Sequence, residues 1–187
     1  MDGKCIILCA PSGAGKTSIT KYLLQQDLDL EFSISACNRE QRENETNGVD
    51  YHFLTTEDFK NSIENEEFAE WEEVYKDNYY GTLKTEINRI WNNGKTVIFD
   101  VDVEGGLSLT KHFGEKALAM FIMPPSFEAL EKRLRGRGTE NEEKIQKRLA
   151  KAEKELEFSK WFDHIIINDK LEDAQKEART LVKTFLK

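Results

Sequence analysis

The sequence predicts an α/β domain built on a mainly parallel sheet. Two observations carry that expectation. Short apolar runs alternate with helical patterns along the chain, the signature of strand–helix–strand units. Several runs are apolar at every position, as in Val97-Ile98-Phe99 and Ile165-Ile166-Ile167, which suits strands covered on both faces. Scale agrees: 187 residues are about one ordinary domain and can bury roughly 70% of the unfolded surface.

The elements follow in order. Cys5–Ala10 reads as the first strand and Ser18–Gln25 as the helix after it. Phe32–Ala36 and Tyr51–Leu54 are strand candidates, and a helix follows Thr55. A helix near Leu83–Asn92 is stopped by Gly94, a residue free to take the left-handed turn that ends helices. Thr96–Val101 and Ala117–Met123 are strands. Thr139 and Glu142 have capping-box spacing, and beyond them Ile145, Leu149, Ala152 and Leu156 recur at steps of four, three and four, one stripe on a long helix. His164–Ile167 is the last strand and Leu171–Leu186 the terminal helix. Residues 33–82 break the rhythm. They are more polar and aromatic and read as an insertion of short strands with one helix, carrying a binding surface.

Charge narrows the partners. The chain is 39% hydrophobic and 33% charged, which excludes wholesale disorder. Lys+Arg number 27 against 35 Asp+Glu, a net −8, a poor balance for gripping a nucleic acid polymer. Only six apolar residues precede Pro11, too few for a signal core or a membrane span. Three cysteines (Cys5, Cys9, Cys37) and three histidines lack paired ligand spacing, so neither a disulfide framework nor a zinc site is expected. Reduced thiols in a cytoplasmic protein are the plain expectation. Monomer and homo-oligomer both remain open.

The most informative segment is Ala10-Pro11-Ser12-Gly13-Ala14-Gly15-Lys16-Thr17. It lies between a strand and a helix, where a phosphate loop belongs. Small residues let backbone N–H groups curl around phosphate oxygens, and the following helix aims its positive end at them. Lys16 would reach the β- and γ-phosphates, and the Thr17 hydroxyl would ligate Mg²⁺. Ala10 stands where the strict pattern has Gly; Ala fits if its φ is negative. Asp100 and Asp102 end an apolar strand, the position where open parallel sheets place ligands. Asp100 could hold a Mg²⁺-bound water.

Phosphate loops serve ATPases, GTPases and kinases alike, so the acceptor must be read elsewhere. Arg39 and Arg42, with Tyr51 and Tyr80, could clamp one phosphate through charge-assisted bonds. A carboxylate suits guanine, because it accepts from the ring N–H and the exocyclic amine together; adenine offers no such pair. At these residues the chain resembles the guanylate kinases. The likeness runs through the phosphate loop, Phe32–Tyr51, Glu67–Trp71, Asn78–Thr82, Asp100–Asp102, Arg133–Thr139 and Ile167–Asp169, nearly the whole chain.

The resemblance implies a P-loop nucleoside monophosphate kinase fold, with a parallel core flanked by helices, a GMP-binding insertion and a lid. Core, insertion and lid would occupy about 1–32, 94–133 and 149–187; about 33–93; and about 134–148. It implies transfer of a phosphoryl group from ATP to GMP or dGMP. By the same resemblance Arg39, Arg42, Tyr51 and Tyr80 form the GMP-phosphate clamp. Ser35, Glu70, Thr82 and Asp102 read guanine, with Glu45 and Gly81 among them. Arg133 and Arg137 meet the transferring phosphoryl, Arg148 joins from the next helix, and Asn168 lies near the ATP base. Arg39 and Lys16 count with these three arginines as catalytic. Cys37-Asn38 stands where two threonines are usual, Gln41 where Pro is common and Asn44 where Gly precedes Glu45. Guanylate-kinase-like domains also occur as non-catalytic protein-interaction modules, which tolerate a ruined phosphate loop; here Lys16 and Thr17 are intact.

Overall fold

The first strand, β1 (Cys5–Cys9), runs through the middle of the molecule with every residue buried. Its side chains alternate between two layers, as a strand's geometry requires. Ile6 and Leu8 enter one apolar layer and Cys5, Ile7 and Cys9 the other. Both faces of the sheet's centre are therefore covered, which explains unbroken apolar runs there. The run Ile165-Ile166-Ile167 is different, for it forms the edge of the sheet and leaves Ile165 and Ile167 exposed. The computed structural model describes residues 3–136 and 142–187.

After β1 come α1 (Lys16–Leu24), β2 (Leu30–Phe32), β3 (Ala36–Cys37), β4 (His52–Phe53), α2 (Thr56–Glu64), β5 (Phe68–Tyr75) and β6 (Asn78–Leu83). Then follow α3 (Lys84–Asn92), β7 (Thr96–Asp100), α4 (Val103–Phe113), β8 (Ala117–Met123), α5 (Phe127–Arg135), α6 (Glu142–Glu157), β9 (His164–Ile167) and α7 (Leu171–Leu186). Five strands form the main sheet in the order β2-β7-β1-β8-β9, with every pair parallel. α1 and α7 pack on one face and α3 and α4 on the other. β1 is the central strand, so the loop that leaves its C-terminal end sits where strand order reverses, the usual ligand crevice of such sheets.

The second sheet runs β4-β3-β6-β5 and is mixed, with β3–β4 parallel and the other pairs antiparallel. Its own core is small: Ala36, Phe59, Phe68 and Tyr79, with Phe59 stacked on Phe68 at 4.4 Å between ring centres. Helix ends obey their local chemistry. Thr55 accepts from the Asp58 N–H to cap α2, Ser126 from Ala129 to cap α5, and Asp102 from Gly105 to cap α4.

Two expectations change, and a third cannot be placed. The run Phe32–Ala36 is not one strand. The Ser33 N–H still bonds to Ile98 O in the main sheet, but the Ile34 N–H is taken by the Glu86 carboxylate at 3.1 Å, and the chain crosses to the second sheet. α3 falls within the sequence bounds of the insertion, yet Ile87 and Ile90 pack in the core layer beneath β7. The Thr139–Glu142 cap lies outside the described residues, although the stripe it introduces is real: Ile145, Leu149 and Ala152 pack against Leu130 and Leu134 of α5.

Candidate active site

The loop after β1 is a turn that only its glycines permit. Gly13 and Gly15 have φ of +93° and +99°, the left-handed region that L side chains rarely enter. A Cβ on Gly15 would also lie 2.3 Å from Asn168 Nδ2. Ala10 keeps a negative φ, so the missing glycine there costs nothing. The Ala14 N–H closes the turn on Pro11 O at 3.1 Å, and α1 begins at Lys16 with its N-terminus facing the loop. Lys16 Nζ donates to Val101 O at 2.8 Å and pairs with the Asp100 carboxylate. A cavity of about 350 Å³ opens here. Loop residues, Thr17 and Ser18 line one side, and Asp100, Asp102, Arg148, Lys151 and Glu155 the other.

A second cavity of about 350 Å³ lies under the mixed sheet. Ser35, Tyr51, Glu70, Glu72, Tyr80 and Gly81 face it, and Asp100, Val101, Asp102 and Gly105 close it. Asp100 and Asp102 line both cavities, so the end of β7 is their shared wall. Glu70 Oε1 accepts from the buried Thr82 hydroxyl at 2.7 Å. Burial is the main influence on the Glu70 carboxyl and pushes its pKa up to about 7, because a low-dielectric site disfavours the charged form. Glu72 is pushed up to about 7 as well, by burial first and then by Asp102 and Glu104.

At the outer end of this cavity the clamp residues gather. Arg39 makes a forked pair with Glu45, both N–O distances 2.6 Å, and its guanidinium lies 4.9 Å from the centre of the Tyr51 ring. The rings of Tyr51 and Tyr80 meet edge-on at 6.1 Å. Glu45 also accepts from the Arg42 backbone N–H at 3.0 Å. The Arg39 pair holds the Glu45 carboxyl down at about 2, so it stays ionised. Glu45 thus faces Arg39 rather than the guanine-side carboxylates with which the resemblance grouped it. The Arg42 side chain is exposed and outside the cavity lining.

The remaining site residues divide. Arg148 lines the first cavity and donates to Ser12 Oγ at 3.1 Å. Arg133 instead donates to the carbonyl of Asn168 at 2.8 Å. Asn168 is buried and gives its amide to Ala14 O at 2.7 Å, so it sits behind the phosphate loop and props it. Arg137 lies outside the described residues. Arg135 is held by Glu131 and Glu142, consistent with its omission from the site. Asn38 takes up the end of β3: it donates to Thr56 Oγ1 and Asp77 O and accepts from the Tyr79 N–H.

Sequence reasoning missed Glu72, Lys151 and Glu155. Two of the three had a signal. Glu72 is two residues from Glu70 and therefore on the same face of β5. Lys151 is three beyond Arg148, hence one helical turn along the same face of α6.

Residues 2–185 match the family described as guanylate kinase. A protein named guanylate kinase from Bacteroides thetaiotaomicron is 53% identical over 186 residues, 100% of this chain and 91% of that one. Another of that name, from Porphyromonas gingivalis, is 48% identical over 98% of both chains. A crystal structure of guanylate kinase from Anaplasma phagocytophilum superposes with a TM-score of 0.75 at 26% identity, covering 98% of this chain and 86% of that one.

Proposed function

This chain belongs to the guanylate kinase family and is an ATP:GMP phosphotransferase, and from that premise we propose which of its residues do the work. The phosphate-loop cavity takes ATP, and the cavity under the mixed sheet takes GMP or dGMP. The observation that carries this reading is the shared wall: two nucleotide-sized cavities meet at Asp100 and Asp102, so a donor and an acceptor phosphate would face each other there.

The chemistry needs little covalent help, because the acceptor phosphate is already an anion. Catalysis is then a matter of positioning and charge. Loop N–H groups and Lys16 would hold the donor phosphates, and Arg148 would approach from α6. Arg39, Tyr51 and Tyr80 would hold the acceptor phosphate. Glu70, braced by Thr82, would accept from guanine, with Ser35 and Asp102 completing the contact. Lys16 pairs with Asp100 and Arg39 with Glu45, so each cation is held beside the cavity it would serve.

The oxygen donors present suit Mg²⁺. The Thr17 hydroxyl and Asp100 carboxylate line the ATP cavity, and Mg²⁺ characteristically uses one or two protein oxygens together with substrate phosphates and water. Bound there, it would supply charge neutralisation at the transferring phosphates. The reading extends to the cytoplasm: the three cysteines are free and buried, and among the described residues no helix is long and apolar enough to cross a membrane.

The test is a panel of GMP, dGMP, AMP, CMP and UMP with Mg²⁺-ATP, followed by ADP release. Rapid turnover is expected with GMP and dGMP alone. No turnover with GMP, together with no ATP binding, would favour the interaction-module alternative.

A further inference from the structure

Asp102 is fixed from two directions, and one of them comes from the ATP side. Its Oδ1 accepts from the Gly105 N–H at 3.0 Å, the cap of α4. Its Oδ2 faces Lys151 Nζ of α6 at 3.5 Å. Glu72 of β5 lines the GMP cavity together with the same carboxylate, and the two repel. Lys151 lines the ATP cavity, Glu72 lines the GMP cavity, and Asp102 lines both. Around this one ammonium group stand Glu72, Asp102 and Glu155, with Glu104 beside Glu72. Like charges this close repel unless a cation sits among them.

We propose that Lys151 is a positioning residue for acceptor recognition. It offsets the repulsion between Glu72 and Asp102, and so holds the Asp102 carboxylate in the orientation that meets GMP. The proposal rests on the GMP cavity being assigned as above. Lys151 lies in the ATP cavity and one turn from Arg148, so a direct role on the donor phosphates is the rival explanation. The two differ in which substrate suffers. Loss of a donor-phosphate contact raises the KM for ATP; loss of Asp102's orientation raises the KM for GMP.

The experiment is steady-state kinetics on the full chain with Lys151→Gln, Lys151→Arg, Glu72→Gln and the Lys151→Gln/Glu72→Gln pair. Lys151 is 58% exposed, so melting temperatures should stay near wild type. Expected is a rise of about tenfold in the GMP KM of Lys151→Gln, about 1.4 kcal/mol, with the ATP KM and kcat within about threefold. Lys151→Arg should return the GMP KM to near wild type. Adding Glu72→Gln to Lys151→Gln should recover most of the loss, because it removes the repulsion that lysine offsets. Unchanged kinetics in Lys151→Gln, a rise confined to the ATP KM, or no recovery in the pair would each overturn the proposal. Wild-type turnover of GMP tests the functional reading separately, since the proposal is read only from the ratio of variant to wild type.

Discussion

The two cavities, which we propose take ATP and GMP and call the ATP side and the GMP side, are built on different principles. The ATP side is mostly backbone: one six-residue loop between consecutive elements, seated at the end of a fully buried strand. The GMP side is mostly side chains, brought from Ser35, Arg39, Tyr51, Glu70 and Tyr80 by a mixed sheet whose own core is four residues. A backbone site needs small residues in a row and a rigid floor. A side-chain site needs several segments to arrive together, and its charges must be kept apart until the ligand comes. Here Arg39 is paired with Glu45, and Glu70 accepts from the Thr82 hydroxyl.

If that contrast is right, one substitution on each side should separate chemistry from binding. Lys16→Ala is expected to give the largest effect. It removes a cation from the transferring phosphates and leaves GMP contacts alone, so kcat should fall by about 10³-fold. GMP binding by calorimetry should be close to wild type. A variant that lost GMP affinity equally would break the division between sides.

Phe59→Ala attacks the other side through its core. Phe59 is fully buried between Phe68 and Tyr79, and such truncations cost about 3–5 kcal/mol. The second sheet has little else to hold it. Hydrogen exchange should therefore accelerate in residues 36–83 while β1, β7 and β8 stay protected, and ATP should still bind. Uniform loss of protection would mean the two sheets unfold as one.

The same contrast decided what was legible in the sequence. The main sheet and the phosphate loop could be read directly, because β1 and β8 are continuous apolar runs and the loop's chemistry is local. The second sheet could be read only as a region of short strands. β5 is Phe-Ala-Glu-Trp-Glu-Glu-Val-Tyr, too acidic to announce itself, and it becomes a strand by pairing with β6 across a turn where Asp77 takes a φ of +60°. The exact place of Asn168 was hidden for a related reason. Its neighbourhood was clear, but its burial behind Ala14 is a tertiary fact. Arg39 and Arg42 look equivalent in sequence, whereas only Arg39 turns toward the tyrosines.

Glu70→Gln sharpens the comparison on the side-chain half. Gln keeps the size and the bond to Thr82 but replaces one carboxylate oxygen by a donor. The buried carboxylate that would accept guanine's two N–H groups is then lost, and kcat/KM for GMP should fall by about 10²-fold. The KM for ATP should move little. If GMP kinetics were unchanged, guanine would be read elsewhere.

The smallest effect is the one that ties stability to recognition at a single group. Burial raises the Glu70 carboxyl to about 7, against 4.5 when exposed. The sign follows from proton counts: between those values the folded, empty protein holds a proton there that the unfolded chain has released. Stability from this group is therefore lost as pH rises from about 4.5 through 7. Recognition runs the other way, since only the ionised carboxylate accepts from both guanine donors. Between pH 6 and pH 8 the ionised fraction of a group titrating near 7 rises about tenfold. The GMP phosphate titrates in the same range, so wild type alone would not isolate Glu70. Glu70→Gln keeps the phosphate and loses the carboxyl. The ratio of wild-type to variant kcat/KM should accordingly grow about tenfold from pH 6 to pH 8, while the variant loses less stability than wild type over pH 5 to 8. A flat ratio would mean that Glu70 is already ionised in the empty cavity. Its burial would then be offset by the Thr82 bond, and the side-chain half would be as preorganised as the loop.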